Sequence, residues 1–188
     1  MRKLAFITSL FMLFVCISMP YSSVHASGTD YFISVPIITQ GSYTNACWAC
    51  CGASAVNYAR GLNVAFTTFA LNAGSDYYHS ANFTTIQAGL FYYSLSYSYH
   101  SSSVSASSIK TNISNDRSLI AGWDYTNQAG NHAYGHVVLI CGIDYGSTEK
   151  TVAYMDPRWS SYQYKDYSDF FHQYNRTWTQ TISNIYYP

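Results

Sequence analysis

Three kinds of hydrophobic pattern follow one another along the chain. An apolar run over residues 4–19 follows Arg2 and Lys3 and gives way to Val24-His25-Ala26. That is the three-part layout of an export signal, with cleavage expected after Ala26. The run is shorter than the roughly 20 apolar residues of a membrane span, so export is expected rather than a stable membrane anchor. Cys16 follows the bulky Phe14 and Val15, unlike a lipoprotein site, and would leave with the signal. Residues 31–38 then read as an extended lead-in carrying Pro36. Residues 46–60, ACWACCGASAVNYAR, have small or apolar side chains on nearly every face, the pattern of a helix buried all round. Thr44 or Asn45 is placed to cap its start and Gly61 to end it. Residues 82–93 allow a second helix. After a polar connection at 101–108, Ile109 and Ile113 at i, i+4 spacing mark a third over 105–115. From Ser118 the pattern becomes that of strands: SLIAGWDY, HVVLICGIDY, TVAYMD and TWTQTISNIYY, punctuated by glycines and by Asp156-Pro157. A helical first half and a β-rich second half predict an α+β class, with a signal peptide over 1–26 and one domain over 27–188.

Composition narrows the function classes. With Arg2 and Lys3 removed, seven basic residues face nine acidic ones, a formal charge of −2. Such a chain offers no basic footprint for nucleic acid. Only 10% of residues are charged, while 20 are tyrosine, as in exported strand-rich domains. Tyrosines at half-buried strand positions account for this better than a sugar-binding platform. Of five cysteines, Cys47, Cys50, Cys51 and Cys141 remain after processing. Export permits a disulfide, but four cysteines, three of them crowded into five residues, make a poor scaffold of cross-links.

Those cysteines suggest chemistry instead. A thiol nucleophile needs a helix N-terminus or an imidazole that favours its thiolate, and Cys47 sits in the first turn of the helix predicted to be buried. Cys50 and Cys51 lie a turn deeper, where thiols behave as small apolar groups. His136 opens the most apolar strand after Gly135 and is the first choice of base, with His132 in the preceding loop as the reserve. His79, His100 and His172 sit among polar or aromatic residues and read as surface or packing positions. Asp156, before the stiff Pro157, could orient the imidazole. The backbone N–H of Cys47 and the amide of Gln40 could serve an oxyanion. Trp48 is expected to be buried at the base of a cleft, and Trp159 either to shield an Asp–His bond or simply to pack.

Taken in order, Gln40, Cys47-Trp48-Ala49, Gly135-His136-Val137-Val138 and Tyr154-Met155-Asp156-Pro157 resemble the papain-like cysteine peptidases. The likeness is to their short bacterial branch of secreted staphopain-type peptidases, effector proteases and double-glycine-leader-peptidase-like proteins. The interval of 89 residues from Cys47 to His136 sets the chain apart from the long branch, where roughly 130–150 separate them. The resemblance implies a two-lobe fold with a cleft between a helical and a β-rich lobe. It also implies a Cys47-His136-Asp156 triad, Gln40 in the oxyanion hole, and no cofactor or metal. The expected protein is a secreted, extracellular, monomeric endopeptidase acting on protein or peptide substrates and restrained by oxidation or by a separate inhibitor protein.

Three other chemistries fit parts of the pattern. Cys47-Trp48-Ala49-Cys50 is also the Cys-x-x-Cys of a thiol–disulfide oxidoreductase, which would need a strand just before it and a βαβ frame. Even within a peptidase, Cys50 could cap Cys47 as a redox latch. A zinc site from Cys47, Cys50, Cys51 and a histidine would need adjacent cysteines to converge on one ion. A cell-wall amidase or acyl transferase would use the same nucleophile on the same fold, and a binding protein could reuse the scaffold without activity.

Overall fold

The computed structural model describes residues 30–188; the predicted export signal and its cleavage site lie outside the described residues. Strand β1 (Tyr31–Phe32) leads to helices α1 (Cys47–Arg60), α2 (Phe66–Asn72) and α3 (Phe83–Tyr92), and then to β2 (Ser96–His100) and α4 (Ala106–Ile113). Long strands β3 (Ser118–Thr126) and β4 (His132–Asp144) follow, then β5 (Thr151–Met155) and β6 (Tyr162–Asp166). Helix α5 (Tyr167–Phe171), β7 (His172–Gln173) and β8 (Arg176–Tyr186) complete the described chain. The class is α+β, as the pattern predicts.

The sheet runs β2-β8-β3-β4-β5-β6, with β1 pairing β4 and β7 pairing β8, every pair antiparallel. Successive side chains on a strand face opposite sides, and β3 shows what each side meets. Gly122 lies against the Phe83 ring of α3, whereas Trp123 packs on Phe170 of α5 with ring centroids 4.9 Å apart. Helix α1 lies against β4 and against α2 and α3. Its residues from Cys47 to Asn57 are all buried, as a helix with no polar face requires. The small residues let neighbours come close. A Cβ on Gly52 of α1 would stand 2.2 Å from the Phe69 ring, and one on Gly89 of α3 would stand 2.4 Å from it. The ring of Phe69 is thus clamped between two helices at sites that admit no side chain.

Three details differ from the sequence-based expectation. Residues 96–100 form a strand in the half read as helical; the Tyr97 and Tyr99 alternation carries the period of a strand, and β2 pairs with β8. Helix α2, β6 and α5 are short elements below the length at which periodicity is distinctive. Finally, Ala46 occupies the N-cap of α1 and no side chain caps it. Asn45 instead donates to Tyr78 O at 2.8 Å, tying the entry of the helix to the loop opposite. Gly61 ends the helix in the left-handed region at φ 63°, as predicted.

Candidate active site

Three segments bring the chemistry-bearing residues together. Cys47 begins α1, His136 lies on β4, and Asp156 follows β5 in the turn toward Pro157. Strand β4 is held between β3 and β5, with His136 directly opposite Trp123 and Leu139 opposite Met155. The Cys51 thiol, one turn into α1, donates to Val137 O at 3.4 Å and pins the helix beside His136. Gln40 N donates to Pro157 O at 2.9 Å, so the loop entering α1 is anchored to the turn that carries Asp156.

His136 and Asp156 are both buried, with 5% and 2% exposure. The imidazole Nε2 lies 2.8 Å from Asp156 Oδ1, and the ring shares its cleft with Cys47. With Nε2 engaged by the carboxylate, Nδ1 is the nitrogen left for sulfur. Burial alone would lower the proton affinity of His136, but the Asp156 bond and the nearby Cys47 outweigh it, and its pKa is raised. Burial pushes Asp156 the other way; the His136 and Arg158 bonds prevail and hold its carboxyl well below the usual carboxylate range. Arg158 supplies much of that grip. Its backbone N–H donates to Oδ1 at 3.0 Å, Nε to Oδ1 at 3.2 Å, and one terminal nitrogen to Oδ2 at 2.9 Å.

Arg158 is a residue the sequence reading did not single out, and Trp123 is another. The Trp123 ring lies 6.1 Å from the His136 ring and is fixed by its own Nε1–H to Phe170 O at 3.0 Å. Trp159, named for shielding or packing, is instead 56% exposed; it follows the turn outward, while the aromatic cover comes from the neighbouring strand. The sequence signal for Trp123 was only its place in a strand, because the partner of a strand residue is set by register. Trp48 is buried and donates to His79 O at 3.1 Å. His79, His100 and His172 bond to Asp76, Ser183 and Thr177 respectively.

A cleft of about 700 Å³ opens over the pair, lined by Cys47 and His136 among others. Its walls come from the start of α1, the 80–83 segment, β3, β4 and residues 179–180. The uncapped helix end places partial positive charge at Cys47, available to negative charge that develops in the cleft. Gln40 is buried in the turn that leads into α1 and does not line the cleft. Its Nε2 donates to Thr44 O at 3.3 Å, and its Oε1 has no partner among the described residues. His132, the reserve base, also reaches the cleft but bonds to Asp124.

The remaining thiols are of a different kind. Cys50, Cys51 and Cys141 are free and wholly buried. Burial, with the nearby Cys47, pushes Cys50 up to about 12, and burial likewise raises Cys51 and Cys141. The residues before Cys47 form turns rather than the strand of a βαβ unit, so the frame of a thiol–disulfide oxidoreductase is absent there. Among the described residues, no three His, Cys, Asp or Glu side chains gather as metal ligands. No described helix is long and apolar enough to cross a membrane.

Comparison with known proteins places this geometry in context. The model of the peptidase C39-like family matches residues 32–185. Among solved structures, a Bacillus anthracis protein described as a C39-like peptidase superposes with a TM-score of 0.62 at 14% identity. The match covers 81% of this chain and 96% of that one. No curated protein matches.

Proposed function

Since the chain belongs to the peptidase C39-like family and is a cysteine peptidase, we propose that it is a secreted endopeptidase whose Cys47, His136 and Asp156 form the catalytic triad. The observation that carries this reading is that Cys47 and His136 line one cleft while the His136 ring is bonded to Asp156 Oδ1 at 2.8 Å. Proton transfer from sulfur to Nδ1 gives a thiolate–imidazolium pair. The sulfur then attacks a substrate carbonyl carbon and the oxygen takes up the negative charge. Donors for that oxyanion are the Cys47 backbone N–H and the Gln40 amide, which has one N–H beyond its bond to Thr44. As the C–N bond breaks, the imidazolium gives its proton to the departing amine. Neutral His136 then takes a proton from water, whose oxygen displaces sulfur and frees the acid. Asp156 stays ionised throughout and holds the ring in the tautomer this sequence needs. Export rests on the signal-like residues 1–26.

The test uses the full chain with an unfolded protein such as casein. Cys47→Ala abolishes fragment release and labelling by an epoxide-type thiol reagent, while Cys51→Ala keeps most of both. Cleavage that survives Cys47→Ala, or a label that maps to Cys141, would overturn the assignment.

A further inference from the structure

The cleft holds a second polar pair that the triad does not use. Asp124 on β3 and His132 at the start of β4 both line it, and His132 Nδ1 bonds to Asp124 Oδ1. Asp124 is the one carboxylate among the lining residues, and no lysine or arginine lines the cleft. Its Oδ2 takes no hydrogen bond among the described residues, and 36% of its side chain is exposed. Asp124 thus brings to the cleft a carboxylate with a free acceptor oxygen.

Its place along the sheet is fixed by register. Trp123 stands opposite His136 and Asp124 opposite Gly135. One strand residue spans roughly 3.3 Å, so Asp124 lies one residue along the sheet from the Trp123–His136 pair, on the face that Gly122 turns to Phe83, and it reaches the shared cleft from that side. Gly135 carries no side chain to cover it. Phe83, Val137 and Ala81 supply apolar wall in the same cleft. An apolar wall with a carboxylate at its rim suits a side chain with a long methylene stem and a cationic head.

We infer that Asp124, oriented by His132, selects substrates with lysine or arginine adjacent to the scissile bond; this rests on Cys47 and His136 being the reacting pair. The preference is a charge-assisted hydrogen bond made in a partly desolvated cleft. It is strong enough to separate lysine from an uncharged isostere by roughly tenfold in kcat/KM.

The experiment compares peptides identical except for lysine, norleucine or glutamate at each of the two positions on either side of the cleaved bond. At one position the wild type prefers lysine to norleucine by roughly tenfold. Asp124→Asn brings that ratio close to one, and His132→Gln lowers it. Asp124→Lys turns the preference toward glutamate, a gain that a misfolded variant could not show. Equal cleavage of all three peptides by the wild type overturns the inference, as does a lysine preference that persists in Asp124→Asn. In either case, loss of cleavage when iodoacetamide alkylates Cys47 leaves the peptidase reading standing. If the wild type cuts no peptide and Cys47 resists alkylation, both readings fall.

Discussion

Asp156 shares its charge between His136 on one side and Arg158 on the other, and the two partners pull its influence in different directions. Its bond to His136 favours the imidazolium, whereas the guanidinium offsets part of the negative charge that the imidazole feels. Loss of the His136 proton therefore sets an alkaline limb of activity above about pH 6.5, the ordinary imidazole range. Asp156→Asn moves that limb down and lowers kcat by roughly 10²–10⁴-fold. Arg158→Gln moves it up while lowering kcat through a looser carboxylate, and Arg158→Lys restores the charge but not the fork. A pH profile of kcat/KM for the three variants checks the opposite signs. Stability follows the carboxylate too. A folded-state pKa below the unfolded one adds stability above about pH 4, lost as pH falls toward the folded value. The deficit of Asp156→Asn thus shrinks in acid. That Cys47, His136 and Asp156 belong to one candidate site was legible only from the order of several short motifs, each common by itself. Arg158 and Trp123 were not, because an arginine after a turn and a tryptophan in a strand acquire meaning only from cross-chain neighbours.

Helix α1 was the most legible element, since a run with no polar face can only be an interior helix. Its start was less so: Thr44 and Asn45 look like caps, yet Asn45 reaches across to Tyr78 O and leaves the helix end open to the cleft. Tertiary contact here overrode local capping preference, which is worth only about 1 kcal/mol. The small residues of α1 have their own energetic signature. Because a Cβ at Gly52 would sit 2.2 Å from the Phe69 ring, Gly52→Ala overpacks the α1–α2–α3 junction despite the better helix propensity of alanine. We expect a loss of about 1–3 kcal/mol, measured as a lower midpoint in urea. Phe69→Leu in the same chain recovers part of it by shrinking the clamped side chain. A Gly52→Ala protein as stable as the wild type would mean that the ring has room to move.

Across the whole molecule, burial sorts the four described thiols into one that faces a cleft and three that do not. Iodoacetamide should modify Cys47 at once in the native protein, with loss of activity. Cys50, Cys51 and Cys141 should react only at the rate of global unfolding, so among the four described thiols mass spectrometry maps one adduct before denaturant and the others after it. Rapid alkylation of Cys50 in the native state would show that the site opens locally. The α+β class and the order of the long strands were legible, but the place of each strand in the sheet was not, since alternation gives a face and not a neighbour. The place of β8 is the clearest case. It follows the other described strands in sequence, yet it lies between β2 and β3. A ribosome or an export channel delivers a chain in order, so during synthesis β2 and β3 must wait with unpaired edges for a strand not yet made. Those edges can recruit another chain just as readily. Delivery of residues 176–186 is therefore the step at which a nascent molecule passes from aggregation-prone to folded, and a peptidase assembled in this sequence has no complete sheet behind its cleft until β8 has been handed over.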